Sequence, residues 1–73
     1  MQKYMNIGRD SGVEGYEIGG DYIKVKFTRT SKVYTYSYDS AGMAAIEHMK
    51  DLAKRGEGLN EYINRYVRDK YVK

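Results

Sequence analysis

The chain has 73 residues, with 13 basic and 10 acidic side chains, a net charge of +3, no cysteine and no proline. A chain of this length is typical of one small domain. The lack of cysteine excludes disulfides and thiolate metal sites and is typical of a reducing compartment. No apolar run approaches ~18 residues and no signal-peptide segment is present, so the sequence predicts a cytoplasmic protein with no membrane partner.

The N-terminal part of the chain differs from the rest in pattern. Residues 1–12 lack a sustained hydrophobic period and end in a glycine-rich loop sequence. We therefore expect a partly ordered arm over residues 1–12 and a single domain over residues 13–73.

Three strands are predicted next, over residues 13–18, 22–28 and 32–38. Gly19-Gly20-Asp21 marks the first turn, because glycine reaches positive φ without a steric clash. Apolar residues alternate with lysine or threonine in the second strand, which is typical of a half-buried strand. In the third strand, tyrosine occupies every second position, at Tyr34, Tyr36 and Tyr38. Side chains on a strand alternate between faces, so these tyrosines share one face.

The pairing register follows from where the apolar residues must lie. A two-residue loop at Gly20-Asp21 brings Ile18 opposite Ile23 and places Glu17 opposite Lys24. A two-residue loop at Thr30-Ser31 gives a second set of pairs: Phe27 with Tyr34, Val25 with Tyr36 and Ile23 with Tyr38. A shift by one residue would scatter the apolar residues over both faces, so this antiparallel meander is favoured.

Two helices are predicted after the strands. Asp39-Ser40 offers an N-cap for a helix from about Ala41 to Arg55, and Gly56 is a natural residue to end it. Asn60 offers a cap for a second helix that runs to about Asp69. Its apolar stripe is Leu59, Ile63, Tyr66 and Val67, and Arg65 and Arg68 lie on one side of it, three residues apart. The fold class is therefore α+β, with a three-stranded antiparallel sheet followed by two helices packed on one sheet face (β-β-β-α-α).

The order of several short motifs resembles a known family. The central motif is Tyr34-Thr35-Tyr36. The others are Ser11, Gly15-Tyr16, the strand 23–27, Gly56, Leu59-Asn60, Ile63 and Tyr66. Over residues 11–68 the chain resembles the KTSC domain, a short module found at the C-terminus of some lysyl-tRNA synthetases and in small stand-alone bacterial and phage-type proteins. The resemblance implies a β-rich α+β module, with RNA binding suggested by the fusion to a synthetase. The chain departs from the family pattern at Lys54, Gly58, Leu59 and Asn64, which would alter any polar site built on those positions.

Catalysis has little support in the sequence. His48 is the only histidine, and a metal site needs three or more converging ligands. The serines have no base beside them, and the glycine pairs lack the lysine and helix of a phosphate-binding loop. We therefore expect a protein that is not an enzyme and has no cofactor and no metal.

The tyrosines allow two interpretations. Alternating rings near lysines could stack on bases of single-stranded nucleic acid. The predicted register instead puts Tyr34, Tyr36 and Tyr38 on the apolar face, where they belong to the core with hydroxyls at its edge. We favour the second interpretation, which leaves Tyr22, on the opposite face, as the better candidate for an exposed aromatic ring.

Basic residues point to the candidate partner. Residues 22–38 contain four basic side chains and no acid, and the C-terminal segment adds more. The candidate nucleic-acid-binding residues are Tyr22, Lys24, Lys26, Arg29, Lys32, Arg65 and Arg68. Such residues can contact phosphates without sequence preference.

The leading hypothesis is a non-catalytic RNA-binding module. The alternative is a small protein-interaction module, phage-type or accessory, that binds a protein through a sheet edge or the N-terminal arm. In either case the chain is a monomer or a weak homodimer.

Overall fold

The computed structural model describes residues 1–7 and 12–73. Four antiparallel strands form one sheet in the order β1-β2-β3-β4: β1 (Gln2–Lys3), β2 (Val13–Ile18), β3 (Tyr22–Phe27) and β4 (Val33–Ser37). Three helices follow: α1 (Tyr38–Ala41), α2 (Met43–Arg55) and α3 (Leu59–Tyr62), and α3 continues as a π-helical turn over Ile63–Val67. We call residues 59–68 the C-terminal helical stretch. No helix in the described ranges is both long and apolar enough to cross a membrane.

The α+β class is confirmed, but the prediction of three strands is wrong. A fourth strand comes from the N-terminal segment, where Gln2 pairs with Tyr16 and Lys3 pairs with Gly15. Tyr4 follows it into the core with 2% of its surface exposed, and its hydroxyl accepts a hydrogen bond from the Leu59 N–H at 3.3 Å. A strand of two residues is too short to show alternation in the sequence. The boundary placed at residue 13 stays a prediction, and Ser11 lies outside the described residues.

The register of the first hairpin is confirmed. Ile18 pairs with Ile23, and Glu17 pairs with Lys24. Further along, the register shifts between Val13 and Gly15. Like a β-bulge, this irregularity changes the sheet face to which the side chains beyond it point. Val13 is therefore buried on the same face as Ile18 although their sequence separation is odd.

The register of the second hairpin was predicted wrongly by two residues. Val25 pairs with Tyr34, not Tyr36, and Ile23 pairs with Tyr36, not Tyr38. Because the shift is even, every side chain keeps its predicted face. The loop is longer than two residues, and the N–H of Thr30 donates to the Phe27 carbonyl at 3.3 Å.

Helix formation begins early at the end of β4. Ser37, not Asp39 or Ser40, is the N-cap, and it exchanges hydrogen bonds with Ser40 in a capping box. Tyr38 is thereby removed from the strand and becomes the first residue of α1. The helix predicted from Ala41 is interrupted at Gly42, whose φ is +94°, and α2 starts at Met43.

The end of α2 is confirmed. Gly56 adopts the left-handed conformation at φ +77°, and its N–H donates to the carbonyls of Leu52 and Ala53. The second predicted helix begins two residues early, with Gly58 instead of Asn60 as its N-cap, and changes to π-helical hydrogen bonding after Tyr62.

The core lies between one face of the sheet and the helices. Its largest fully buried side chains are Ile23, Val25, Tyr36, Ile46, Met49 and Leu59. Tyr36 is 2% exposed, which confirms its assignment to the core, whereas Tyr34 and Tyr38 are half-buried at the border. Tyr66, which was predicted on the inner side of its helix, is exposed instead.

A buried lysine joins α2 to the turn between β2 and β3. Lys50 Nζ donates to the Gly20 carbonyl at 2.9 Å and to Glu47 Oε2 at 3.0 Å, and it lies 5.6 Å from the centre of the Tyr38 ring. The Tyr38 hydroxyl donates to the same carboxylate at 2.6 Å. This bond raises the pKa of the Tyr38 hydroxyl; the same bond, together with the one from Lys50, lowers the pKa of the Glu47 carboxyl. The charged groups are therefore satisfied where the turn meets the helix.

Gly56→Ala tests how tightly the N-terminal segment packs against the end of α2. The new methyl group would lie 2.6 Å from Met5 Cβ, and alanine would be held at positive φ. We expect a loss of at least about 1 kcal/mol in the free energy of unfolding, measured by urea titration. Gly20→Ala is the matched control, because a Cβ there contacts nothing within 4 Å, and it should stay within about 0.5 kcal/mol of wild type. Equal losses in the two variants would contradict this packing.

Candidate nucleic-acid interface

The predicted site residues fall on three parts of the fold. Tyr22, Lys24 and Lys26 lie on β3 and point to the sheet face away from the helices. Arg29 and Lys32 are exposed in the loop between β3 and β4, which we call the hairpin tip. Arg65 lies in the π-helical turn and Arg68 directly follows it. The structure therefore does not gather all seven residues into one surface.

The outer sheet face is largely neutralised. Lys26 Nζ forms an ion pair with Glu14 Oε1 at 3.0 Å, and Lys24 is paired in register with Glu17. The Tyr22 hydroxyl donates to Glu17 Oε2 at 3.3 Å. Tyr22 is half-buried rather than open, and Lys24 Nζ lies 5.8 Å from the centre of its ring. Because two glutamates offset the charges of the two lysines, this face attracts phosphate only weakly.

A groove opens on the other side of the sheet, between the hairpin tip and the C-terminal helical stretch. Its volume is about 390 Å³. Its apolar and aromatic walls are Phe27, Tyr34, Tyr36, Ile63 and Tyr71, and its polar residues are Thr30, Asn60, Asn64, Arg68 and Asp69. We call this the tip groove. It combines ring faces with hydrogen-bonding groups, as small-ligand and nucleotide sites do.

Aromatic packing fixes the walls of the tip groove. The ring of Tyr71 meets those of Tyr34 and Tyr36 edge-on, with centroids 4.9 and 6.3 Å apart. Phe27 and Tyr34 make a third edge-on pair at 5.7 Å. The C-terminal segment is held in place because the Val72 N–H donates to the Thr35 carbonyl at 2.6 Å. The groove is therefore formed before any ligand binds.

Arg29 lies next to the tip groove rather than on its wall. It lines an adjoining recess with Gly12, Phe27, Thr28 and Asn60. Because Phe27 and Asn60 line both the recess and the tip groove, Arg29 and Arg68 flank one pair of residues. The fold thus brings together two predicted cations that are far apart in the sequence.

Arg65 is separated from Arg68. The two were predicted to lie on one side of a regular helix, but each lines a different concavity. Arg65 shares its recess with Tyr62 and Tyr66, on the side of the stretch away from the tip groove. The π-helical turn has a wider hydrogen-bond spacing than an α-helix, which changes where successive side chains point.

Sequence reasoning missed most of the groove walls. Phe27 and Tyr34 were assigned to the core from strand alternation alone. Tyr71 lies against Tyr34 only because the C-terminal segment returns to β4. Asn60 and Asn64 offered one usable signal, because two polar residues four apart share one side of a helix.

The part of the chain that the structure describes contains no candidate metal site. Within residues 1–7 and 12–73, no group of three or more His, Cys, Asp or Glu side chains could hold a metal ion. The expectation that the chain is not an enzyme stays a prediction.

Comparisons with protein-family models, with curated proteins and with solved structures find no match to this chain. The resemblance to the KTSC domain therefore stays a prediction.

The buried hydroxyl of Tyr36 predicts a pH dependence of stability. Burial, followed by the neighbouring Tyr34 and Tyr71 hydroxyls, raises the pKa of Tyr36 from 10.0 to about 12. The unfolded chain loses this proton at lower pH than the folded chain does. The stabilisation is therefore complete below pH 10 and is lost as pH rises to about 12.

Urea unfolding at several alkaline pH values measures this effect. We expect the free energy of unfolding to fall by up to about 3 kcal/mol more in wild type than in Tyr36→Phe, which lacks the ionising hydroxyl. Parallel curves for the two proteins across this range would show that Tyr36 is not shielded in the folded state.

Proposed function

We propose that the protein is a non-catalytic nucleic-acid-binding module that binds RNA, and that the tip groove, with Arg68 on its wall and Arg29 in the adjoining recess, is the binding site. One observation carries the proposal: Arg68 lines a groove walled by aromatic rings, and Arg29 lines a recess that shares Phe27 and Asn60 with that groove. Cations for phosphate beside ring faces for bases are the combination that single-stranded nucleic acid requires.

Each part of the site has a chemical task. The guanidinium groups of Arg29 and Arg68 are exposed planar forks that match phosphate oxygens. Asn64 supplies an exposed amide group that can bond base edges or ribose hydroxyls. The half-buried rings of Phe27 and Tyr34 offer apolar surface to a base or sugar.

The distribution of charge supports this location over the outer sheet face. Lys32 is exposed at the hairpin tip, and no acidic residue occurs between positions 22 and 38. Asp69 is the acidic residue on the groove wall. On the outer face, by contrast, Glu14 and Glu17 offset the two lysines. RNA is chosen over DNA because of the resemblance to the KTSC domain.

Charge reversal at the groove tests the proposal. The double variant Arg29→Glu/Arg68→Glu should weaken binding to a labelled single-stranded RNA by at least about tenfold at low salt. Removal of two phosphate contacts should also reduce the log–log salt slope by about 1.4. Fluorescence anisotropy at a series of salt concentrations gives both values, and urea unfolding verifies that the variant folds.

The matched control reverses the same number of charges elsewhere. Lys3 lies in β1 and Lys54 beside β2, away from the tip groove. Lys3→Glu/Lys54→Glu changes the net charge equally and should affect binding much less. The proposal fails if wild type binds no nucleic acid at low salt, or if the two double variants weaken binding equally.

Protein binding is a second candidate, and one observation favours it. Met1, Met5 and Ile7 are 59%, 66% and 64% exposed in the N-terminal segment, and exposed apolar side chains close together mark interaction surfaces. A partner that is retained after nuclease treatment, and lost from Met5→Ser/Ile7→Ser, would favour this function over nucleic-acid binding.

A further inference from the structure

Three aromatic side chains form a row on the helical side of the molecule. The ring of His48, on α2, lies 4.7 Å from that of Tyr62, and the Tyr62 ring lies 4.9 Å from that of Tyr66. The rings are tilted against each other by 54° and 41°. We call these three residues the helix-side aromatic cluster.

The cluster is open to solvent at both ends, since His48 and Tyr66 are both exposed. Tyr66 is 59% exposed, although tyrosine rings usually bury most of their area. The core does not require it, because Ile63 and Val67 are the buried residues of the same turn. An exposed ring that is held by a neighbouring ring is a preformed surface for another flat group.

One cation lies beside the cluster. Arg65 lines the same recess as Tyr62 and Tyr66, together with His48, Leu52, Gly58 and Glu61, which is the acidic residue of that recess. Arg65 precedes Tyr66 in the chain and is exposed. A guanidinium group next to an open ring can contact the phosphate of a nucleotide whose base stacks on that ring.

The C-terminal helical stretch connects this cluster to the tip groove. Asn64 and Arg68 line the groove, while Tyr62, Arg65 and Tyr66 line the recess on the other side. The two features are thus two sides of one short segment. The segment contains a π-helical turn, a rare structure that is frequent at functional sites.

We propose that the ligand is a single-stranded nucleic acid that crosses the C-terminal helical stretch, with one nucleotide in the tip groove and another base stacked on Tyr66. Arg65 and Arg68 then contact the phosphates between them. A duplex would bind worse, because its bases are paired and stacked and present no free face to a ring. This inference rests on the proposed function and adds to it a second contact, the base that stacks on Tyr66.

Removal of the open ring tests the inference. Tyr66→Ala should weaken binding to single-stranded RNA about 5- to 100-fold, since stacking on one aromatic side chain has that effect. Tyr66→Phe keeps the ring and should bind within about twofold of wild type. Two further probes, an RNA duplex and a single-stranded oligomer of the same length with abasic sites, should bind wild type and Tyr66→Ala equally. Fluorescence anisotropy measures all of them.

The outcomes separate this inference from the proposed function. The inference is supported if Tyr66→Ala loses affinity only for the single strand that carries bases, and if Tyr66→Phe keeps the wild-type affinity for that strand. The inference is overturned, and the groove proposal survives, if Arg29→Glu/Arg68→Glu loses binding while Tyr66→Ala binds all probes as wild type does. If wild type binds none of the probes at low salt, both proposals fail.

Discussion

The rest of the structure depends on the burial of the Tyr36 side chain. Its ring is fully packed near the end of β4, between the neighbouring strand and the helices, and Tyr71 returns from the C-terminus to cover its edge. A chain of 73 residues can bury only a small core, so a side chain of this size contributes a large share of the buried apolar area. The same contact positions the C-terminal segment, because Tyr71 and the Val72–Thr35 hydrogen bond hold that segment against β4.

The tip groove is a consequence of this packing. Once Tyr71 is fixed against Tyr34, a space remains between the hairpin tip and the C-terminal helical stretch, and Phe27 and Asn60 face it. Arg68 lines this space, and Arg29, from a separate element, lines the recess that adjoins it. Core packing and the candidate binding site therefore share residues, which makes the site rigid and limits the substitutions that can probe it to its exposed rim.

Much of the fold could be predicted from local patterns, and the failures have local physical causes. Alternation identified strands β2 to β4, and the even two-residue shift in the second hairpin left their faces correct. Strand β4 ends sooner than tyrosine alternation predicts, because the reciprocal bonds of Ser37 with Ser40 start a helix there. Strand β1 has two residues and no periodic signal.

The candidate site was less predictable than the fold because it depends on tertiary contacts. Counting basic residues found Arg29 and Arg68, but it also selected Lys24 and Lys26, whose charges are offset by acidic residues across the sheet. Pairings of this kind arise from strand register. The π-helical turn that separates Arg65 from Arg68 has no signature in the sequence.

The most direct measurement is the map of backbone amide chemical shifts as single-stranded RNA is added to the isotope-labelled protein. Binding at the tip groove predicts that Thr30, Asn60, Asn64 and Arg68 shift most, while Lys24 and Lys26 on the outer sheet face stay nearly constant. The largest changes on the outer face, or along the N-terminal segment, would contradict the account.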